Sequence, residues 1–243
     1  IVYPPTYLAD VFANTSWRRK TLILESEIAS AAAKRVRFEA VVKDAAGREV
    51  KRVAQEVELQ PGTTTVKPEI PWEDPVLWEF DRGYLYTLEA ALVDGGARLE
   101  YPPFRFGFRE IWREGREIMM NGHKQRFRTV YSYGANLHGA DFLHDIGYNV
   151  IHLSHRIEPD PRLDTDFLYG LAERGMGAVV PMPGISYHQQ ESVWRDPDIA
   201  EDYARCIARN LRRYRNIPSI VLCYFGVNNI VPSWSMNPQW IAG

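Results

Sequence analysis

Residues 197–225, PDIAEDYARCIARNLRRYRNIPSIVLCYF, place a long amphipathic segment just before a short apolar one. The first part, Pro197 to Tyr214, carries apolar side chains at close to helical spacing and predicts a helix. Asp196 is a suitable N-cap, and proline is favoured at the first helical position. The second part, Ser219 to Phe225, is continuously apolar, which is typical of a strand covered on both faces. A helix followed by a buried strand predicts a parallel α/β sheet.

The same alternation continues upstream to about residue 110. Strands are predicted around Arg126 to Tyr131, from Asn149 to Ser154 and from Ala178 to Met182, and a helix from Asp164 to Arg174. With the strand after the long helix, this makes four strands. A closed (β/α)8 barrel needs eight strands and typically ~250 residues. The sequence therefore predicts either a smaller open α/β domain or a chain that stops halfway round a barrel.

The N-terminal part of the chain, residues 1–108, follows a different pattern. Its short segments alternate between apolar and polar side chains; for example, Tyr84, Tyr86 and Leu88 share one face of a predicted strand. A period of two is typical of half-buried strands. Turn-forming stretches such as residues 94–96, Asp-Gly-Gly, separate the strands. This part is predicted to be an antiparallel β-sandwich of roughly 100 residues.

Composition indicates a globular protein with neither a nucleic-acid nor a membrane partner. The formal net charge is −2, and the Arg-rich stretch from Arg205 to Arg215 is interpreted as the solvated face of the long helix. No run of 18 or more apolar residues predicts a membrane span. Cys206 and Cys223 are too few for a disulfide framework and are expected to be buried. Residues 1–5 show no signal-peptide pattern, which leaves localisation open; a periplasmic or extracellular location is compatible with the sequence.

Several ordered motifs are more specific than these patterns. They are Pro75 and Trp78 with YLYTL at 84–88, FGFR at 106–109, MNG at 120–122, DIGYNVIHLSH at 145–155 and NIPSIVL at 216–222. In this order the chain resembles glycoside hydrolase family 2, the β-galactosidase/β-glucuronidase family, over nearly its whole length. The resemblance implies a multidomain β and α/β fold. Residues 1–108 would form an immunoglobulin-like β-sandwich, and residues 109–243 the N-terminal half of a TIM barrel, with about four β/α units.

The resemblance also implies a reaction, the retaining hydrolysis of β-linked glycosides. Such enzymes use two carboxylates about 5–5.5 Å apart, one as acid/base and one as nucleophile. The family's acid/base Glu corresponds to Asn228 here, and an amide has no proton to transfer. The family's nucleophile lies on a seventh strand outside these residues, so the chain alone is expected to be inactive without the remainder of its own polypeptide. Glu158 is a possible substitute acid, since no Asp or Glu follows Gly226.

Polar and aromatic side chains near the carboxyl ends of the predicted strands are candidates for binding a carbohydrate. They are His155, Asn229, His152, Tyr131, His188 and Trp234. His152 stands where the family carries an Arg, and its other interpretation is packing inside the barrel. No third ligand accompanies His152 and His155 at a suitable spacing, so no metal site is predicted. No cofactor is predicted either.

Two alternatives to a glycosidase remain open. Because Asn228 replaces a catalytic Glu, the chain could belong to a non-catalytic carbohydrate-binding pseudoenzyme or scaffold module. The other alternative is an adhesion-type sandwich fused to a small, self-contained α/β domain, which would have no exposed sheet edge.

Overall fold

The computed structural model describes residues 4–132, 136–153, 161–182 and 196–224. Eight antiparallel strands come first: β1 Thr6–Ser16, β2 Thr21–Ser30, β3 Lys34–Lys43, β4 Glu49–Leu59, β5 Gly62–Val66, β6 Glu69–Pro71, β7 Tyr86–Asp94 and β8 Ala97–Phe106. They form two sheets. One has the order β1-β2-β5 with β6 also beside β2, and the other has the order β4-β3-β7-β8.

The core of this sandwich lies between the two sheets. Alternate residues of each strand point inward, so Leu22, Leu24 and Ile28 of β2 meet Phe38 and Leu88 of the other sheet, all of them fully buried. The period of two in the sequence therefore predicted the buried face correctly, and the N-terminal part of the chain is β-rich as expected.

A small three-stranded sheet follows, which the sequence analysis did not predict. Its strands are β9 Ile111–Glu114, β10 Glu117–Met120 and β11 His123–Gln125, in the order β11-β10-β9. Asn121 and Gly122 form the turn between β10 and β11 with φ of 50° and 84°. Asn-Gly is the strongest short hairpin signal, so this sheet could have been found from the sequence.

The last part of the chain contains a four-stranded parallel sheet. Its strands β12 Thr129–Ser132, β13 Val150–Leu153, β14 Gly177–Pro181 and β15 Ile220–Tyr224 lie side by side in sequence order. The helices of this part, within the described residues, are α1 Leu137–Asp145, α2 Pro161–Glu173 and α3 Pro197–Tyr214. The predicted helix from Pro197 to Tyr214 has the predicted bounds, and the Asp196 side chain accepts from the Asp198 amide at 3.0 Å.

The two faces of the parallel sheet differ. One face packs Ile151, Ala178 and Val180 against Leu168 and Leu171 of α2. Because side chains alternate along a strand, the intervening residues point away from the helices. We call this side the helix-free face and define it by four residues: Tyr131, His152, Leu222 and Tyr224.

The structure changes two expectations drawn from the sequence. Cys206 and Cys223 are partly exposed rather than buried. The Arg-rich stretch is only in part a solvated face: Arg205 pairs with acidic neighbours on its own helix, whereas Arg215 donates to Asp10 of β1 at 2.6 Å. Among the described helices, none is long and apolar enough to cross a membrane.

Candidate functional site

The candidate site lies at the carboxyl edge of the parallel sheet. All four strands run in the same direction, so their last residues, Ser132, Leu153, Pro181 and Tyr224, lie at one edge. In the sequence, the segments that follow these ends contain most of the predicted site residues. Ligands of parallel α/β proteins bind beyond the carboxyl ends of the strands, where the loops converge. This topology therefore defines one place for a site.

Three rings meet on the helix-free face close to this edge. Tyr131 of β12 lies in register with His152 of β13, with ring centroids 4.9 Å apart and planes at 77°. The ring of Tyr224 contacts the same imidazole from β15, at 4.6 Å and 81°. Both contacts are edge-on, the geometry that aromatic rings prefer. Tyr131 keeps 47% of its surface exposed, so part of this cluster faces open space.

Tyr224 is a residue of this cluster that the sequence analysis missed. Its hydroxyl donates to the carbonyl oxygen of Leu153 at 3.3 Å, and its own carbonyl accepts from the Met182 amide at 2.9 Å. The apolar run from 219 to 225 was interpreted as a strand covered on both faces. Leu222 is nevertheless 49% exposed, so one face of β15 is open. Alternation within the run puts Leu222 and Tyr224 on the same side of the strand, but it does not tell which side faces the helices.

The structure brings Tyr131 and His152 together, and both lie on the helix-free face. His152 packs beside two rings, and its interpretation as a side chain inside a barrel stays a prediction. The other predicted site residues lie outside the described residues and remain predictions: His155, Glu158, His188, Asn228, Asn229 and Trp234.

The chemistry available on the helix-free face is binding rather than acid–base catalysis by carboxylates. Two phenols and an imidazole offer hydrogen-bond donors and acceptors together with apolar ring surface, which suits a hydroxylated ligand. None of the four parallel strands contains Asp or Glu. A pair of catalytic carboxylates would have to come from loops or from further strands. In the part of the chain that the structure describes, no cluster of three metal-binding side chains occurs.

The fold is one that glycoside hydrolases use. A solved glycosyl hydrolase family 2 member from Bacteroides cellulosilyticus superposes with a TM-score of 0.74 at 19% identity, covering 91% of this chain and 31% of that one. The β-glucuronidase of Parabacteroides merdae, solved with glycerol in its active site, superposes with a TM-score of 0.69 at 17% identity. That match covers 98% of this chain and 31% of the other.

Sequence comparison points to similarity with the same family. Residues 6–109 match the family model described as glycosyl hydrolases family 2. Over 216 residues the chain is 27% identical to the β-galactosidase BoGH2A of Bacteroides ovatus, a match that covers 80% of this chain and 24% of that protein. Residues 6–109 are thus similar to glycoside hydrolase family 2, and the resemblance seen in the motifs of the chain is confirmed. The chain spans about a quarter of the length of this curated relative and about a third of the solved ones.

Proposed function

We propose that this chain is part of a retaining glycoside hydrolase that acts on β-linked glycosides. In this proposal residues 1–108 are the immunoglobulin-like sandwich and residues 109–243 begin a (β/α)8 barrel. The observation that carries the proposal is the sequential parallel sheet whose helix-free face presents Tyr131, His152 and Tyr224 beside its carboxyl edge. In a closed barrel the helix-free face becomes the interior, and the carboxyl edge becomes the rim that holds the substrate.

The distribution of exposed apolar side chains supports an unfinished ring. Among the described residues, seven large apolar side chains are exposed, and of these Val50 alone belongs to the sandwich. The other six lie on β12, α1, α3 and β15, the outermost elements of the parallel unit, or, for Ile146, directly after α1: Tyr131, Phe142, Ile146, Ile199, Leu211 and Leu222. The inner elements α2, β13 and β14 contribute none among the described residues. Further strands and helices on both flanks would cover these side chains, whereas a self-contained α/β domain would leave them in water.

The proposed reaction needs sugar-binding side chains, which these residues supply, and a nucleophilic carboxylate, which they do not. A saccharide at the rim would be held by hydrogen bonds and ring contacts from the helix-free face and the loops beyond it. A carboxylate from further sequence would attack the anomeric carbon, and an acid would protonate the leaving oxygen. Asn228 occupies the acid/base position of the family, so another acid, with Glu158 as the candidate, has to take that role. We therefore expect the 243 residues alone to be inactive.

A second candidate function is carbohydrate binding without hydrolysis. The observation that favours it is Asn228 itself, since an amide can hold a sugar hydroxyl but cannot transfer a proton. The same rim would then bind an oligosaccharide and leave it intact.

Hydrolysis assays separate these possibilities. The 243-residue chain is assayed with aryl β-galactoside, β-glucuronide and β-mannoside, and we expect no turnover; turnover would contradict the half-barrel. A polypeptide extended to the length of the solved relatives is expected to release the aryl alcohol and to form the β-anomer of the sugar first, as retention requires.

The Asn228→Glu variant of the extended polypeptide tests the acid/base assignment. The variant is expected to hydrolyse alkyl glycosides faster than the parent, because a poor leaving group depends most on protonation. Asn210→Glu, on α3, is the matched control and should change nothing. An extended polypeptide that binds oligosaccharide in calorimetry but hydrolyses none, with or without Asn228→Glu, would favour the binding module.

A further inference from the structure

The segment that leads into β15 joins the parallel sheet to the sandwich. We call residues 216–219, Asn-Ile-Pro-Ser, the docking segment. Its residues alternate between two partners. Asn216 and Pro218 face the sandwich side, while Ile217 is buried in the core beneath the helices and the Ser219 hydroxyl donates to Leu168 of α2 at 2.7 Å. The start of β15 is therefore held from both sides.

Asn216 binds the outer edge of β1 with both ends of its amide. Its Nδ2 donates to the carbonyl oxygen of Val11 at 2.9 Å, and its Oδ1 accepts from the amide of Ala13 at 3.0 Å. A residue in a parallel strand makes the same two bonds, to residues i and i+2 of its neighbour. The Asn216 side chain thus takes the place of one residue of a parallel strand beside β1, which fixes its position along β1.

Pro218 is fixed by close packing. A Cβ on Gly107 would lie 2.8 Å from Pro218 Cβ and 2.7 Å from Trp78 Cβ, so only glycine fits between them. The docking segment therefore has little room to slide along the sandwich.

The register of β15 is irregular just after this point. Ala178 of β14 is paired with Ile220, but the next residue, Val179, is paired with Leu222, so Val221 is an extra residue on β15. Arg109 lies at this irregularity: its Nη2 donates to the carbonyl oxygen of Ile220 at 2.6 Å. Burial lowers the pKa of Arg109 to about 10, and the side chain still carries its charge at neutral pH.

The extra residue decides which side chains of β15 reach the helix-free face. A slip of one residue in a strand moves every side chain to the opposite face. Without the irregularity at Val221, Cys223 would replace Tyr224 beside the ring of His152. Bulges of this kind re-aim side chains and occur preferentially near functional sites.

We propose that Arg109 and Asn216 are positioning residues that hold β15 in its bulged register and thereby place Tyr224 beside His152. The functional part of this inference rests on the proposed glycosidase, because Tyr224 lies at the carboxyl edge where that proposal places the saccharide. In this way, contacts with the sandwich set the register of β15, the fourth strand of the parallel sheet.

The first test replaces Arg109 by Met, which keeps the apolar stem and removes the donor. Amide hydrogen exchange of residues 220–224 is expected to accelerate by about tenfold or more, while exchange in β3 and β7 stays unchanged. NMR of histidine-labelled protein is expected to show loss of the ring-current shift that Tyr224 imposes on His152. Arg113→Met is the matched control, since Arg113 donates only to Gly115 in an exposed hairpin.

The second test is Asn216→Asp. This substitution keeps the shape of the side chain, and lowering the pH should reverse its effect. The protonated carboxyl can donate to Val11 and accept from Ala13, as the amide does, but the carboxylate cannot donate. The folded state therefore raises the pKa of the introduced group, so its stabilising effect is present below the unfolded pKa and lost as the pH rises through the folded one. At pH 7 the variant should exchange residues 220–224 faster than the parent, and at pH 4 the difference should shrink. Arg212, Arg215, Asp10 and Glu27 lie nearby in both proteins, so the variant is compared with its parent at each pH.

The outcomes distinguish positioning from plain stabilisation. If both variants only lower the melting temperature, and the His152 signal and the relative exchange of β15 stay as in the parent, the inference is wrong. These measurements need no substrate. A failure of the glycosidase proposal in the assays would therefore leave the structural part of the inference standing, and the reverse also holds.

Discussion

The indole Nε1 of Trp78 donates a hydrogen bond of 2.8 Å to the carbonyl oxygen of Ala172. Trp78 is fully buried and comes from the segment between β6 and β7, whereas Ala172 lies in the last turn of α2. The last carbonyl groups of a helix have no partner within the helix. Ala172 also accepts from the Gly175 amide at 3.2 Å, so Trp78 adds a second, shorter bond from the N-terminal part of the chain to the end of this helix, and the contact couples the two parts.

Trp78→Phe should destabilise the protein by about 1–3 kcal/mol, because a buried hydrogen bond and part of the buried ring would be lost, and the Ala172 carbonyl would keep only the Gly175 amide, at 3.2 Å. The free energy of unfolding in urea measures this. Trp112→Phe is the control, since Trp112 is partly exposed and stacks on Trp17 at the surface. An equal loss of unfolding free energy in the two variants would show that the hydrogen bond to Ala172 does not add to stability.

Gly107→Ala should cost roughly 1–3 kcal/mol, because the new methyl group would collide with Trp78 and Pro218. Gly139→Ala in α1 is the opposite case, since its new Cβ would meet only Asn136 Oδ1 at 3.4 Å. Alanine in a helix should leave stability unchanged or raise it by about 0.4–1 kcal/mol. Thermal unfolding of both variants checks the pair, and a stable Gly107→Ala protein would contradict the close packing described for Pro218.

Two arginines of the same stretch should differ strongly in their effect on stability. Arg215 donates to Asp10, whose side chain is only 14% exposed, and also lies over the ring of Phe12. Arg215→Met is therefore expected to cost about 1.5–3 kcal/mol. Arg205 pairs with Glu201 on the exposed face of α3, and Arg205→Met should cost less than about 1 kcal/mol. Urea unfolding of the two variants measures the difference, and similar losses would argue against docking of α3 on the sandwich.

Tyr86 should make the protein less stable at alkaline pH. Burial raises the pKa of Tyr86 to about 12, although the Val76 amide donates to its hydroxyl. Between the ordinary pKa of about 10 and the folded value, the unfolded chain loses this proton while the folded chain keeps it. Stability therefore falls as the pH rises through this window. Unfolding of the parent and of Tyr86→Phe from pH 9 to pH 12 should show a shallower decline in the variant; parallel curves would refute the assignment.

Local patterns in the sequence predicted several elements well. The helix from Pro197 to Tyr214 was placed at both ends, because its cap, its proline and its apolar stripe are all local features. The inward faces of β2 and β3 followed from the period of two. In the candidate site, the same approach placed Tyr131 and His152 at the ends of parallel strands, where they lie 4.9 Å apart.

Tyr224 was missed because the run from 219 to 225 is apolar on both sides of the strand and shows no period. Its side depends on the extra residue at Val221, and Arg109, more than 100 positions earlier in the chain, donates to Ile220 at that irregularity. A pattern within seven residues contains no information on a contact of this kind.

By itself, the sequence determined most of the strands and helices and which of their faces are apolar, because backbone geometry and burial act at periods of two and 3.6 residues. Its motifs also revealed the resemblance to glycoside hydrolase family 2. Only the tertiary structure decided what covers each face. It paired Asn216 with the edge of β1, placed Arg215 on Asp10 and turned Tyr224 toward His152. These contacts join residues about 70 to more than 200 positions apart, and close packing between distant segments selects them rather than any local preference.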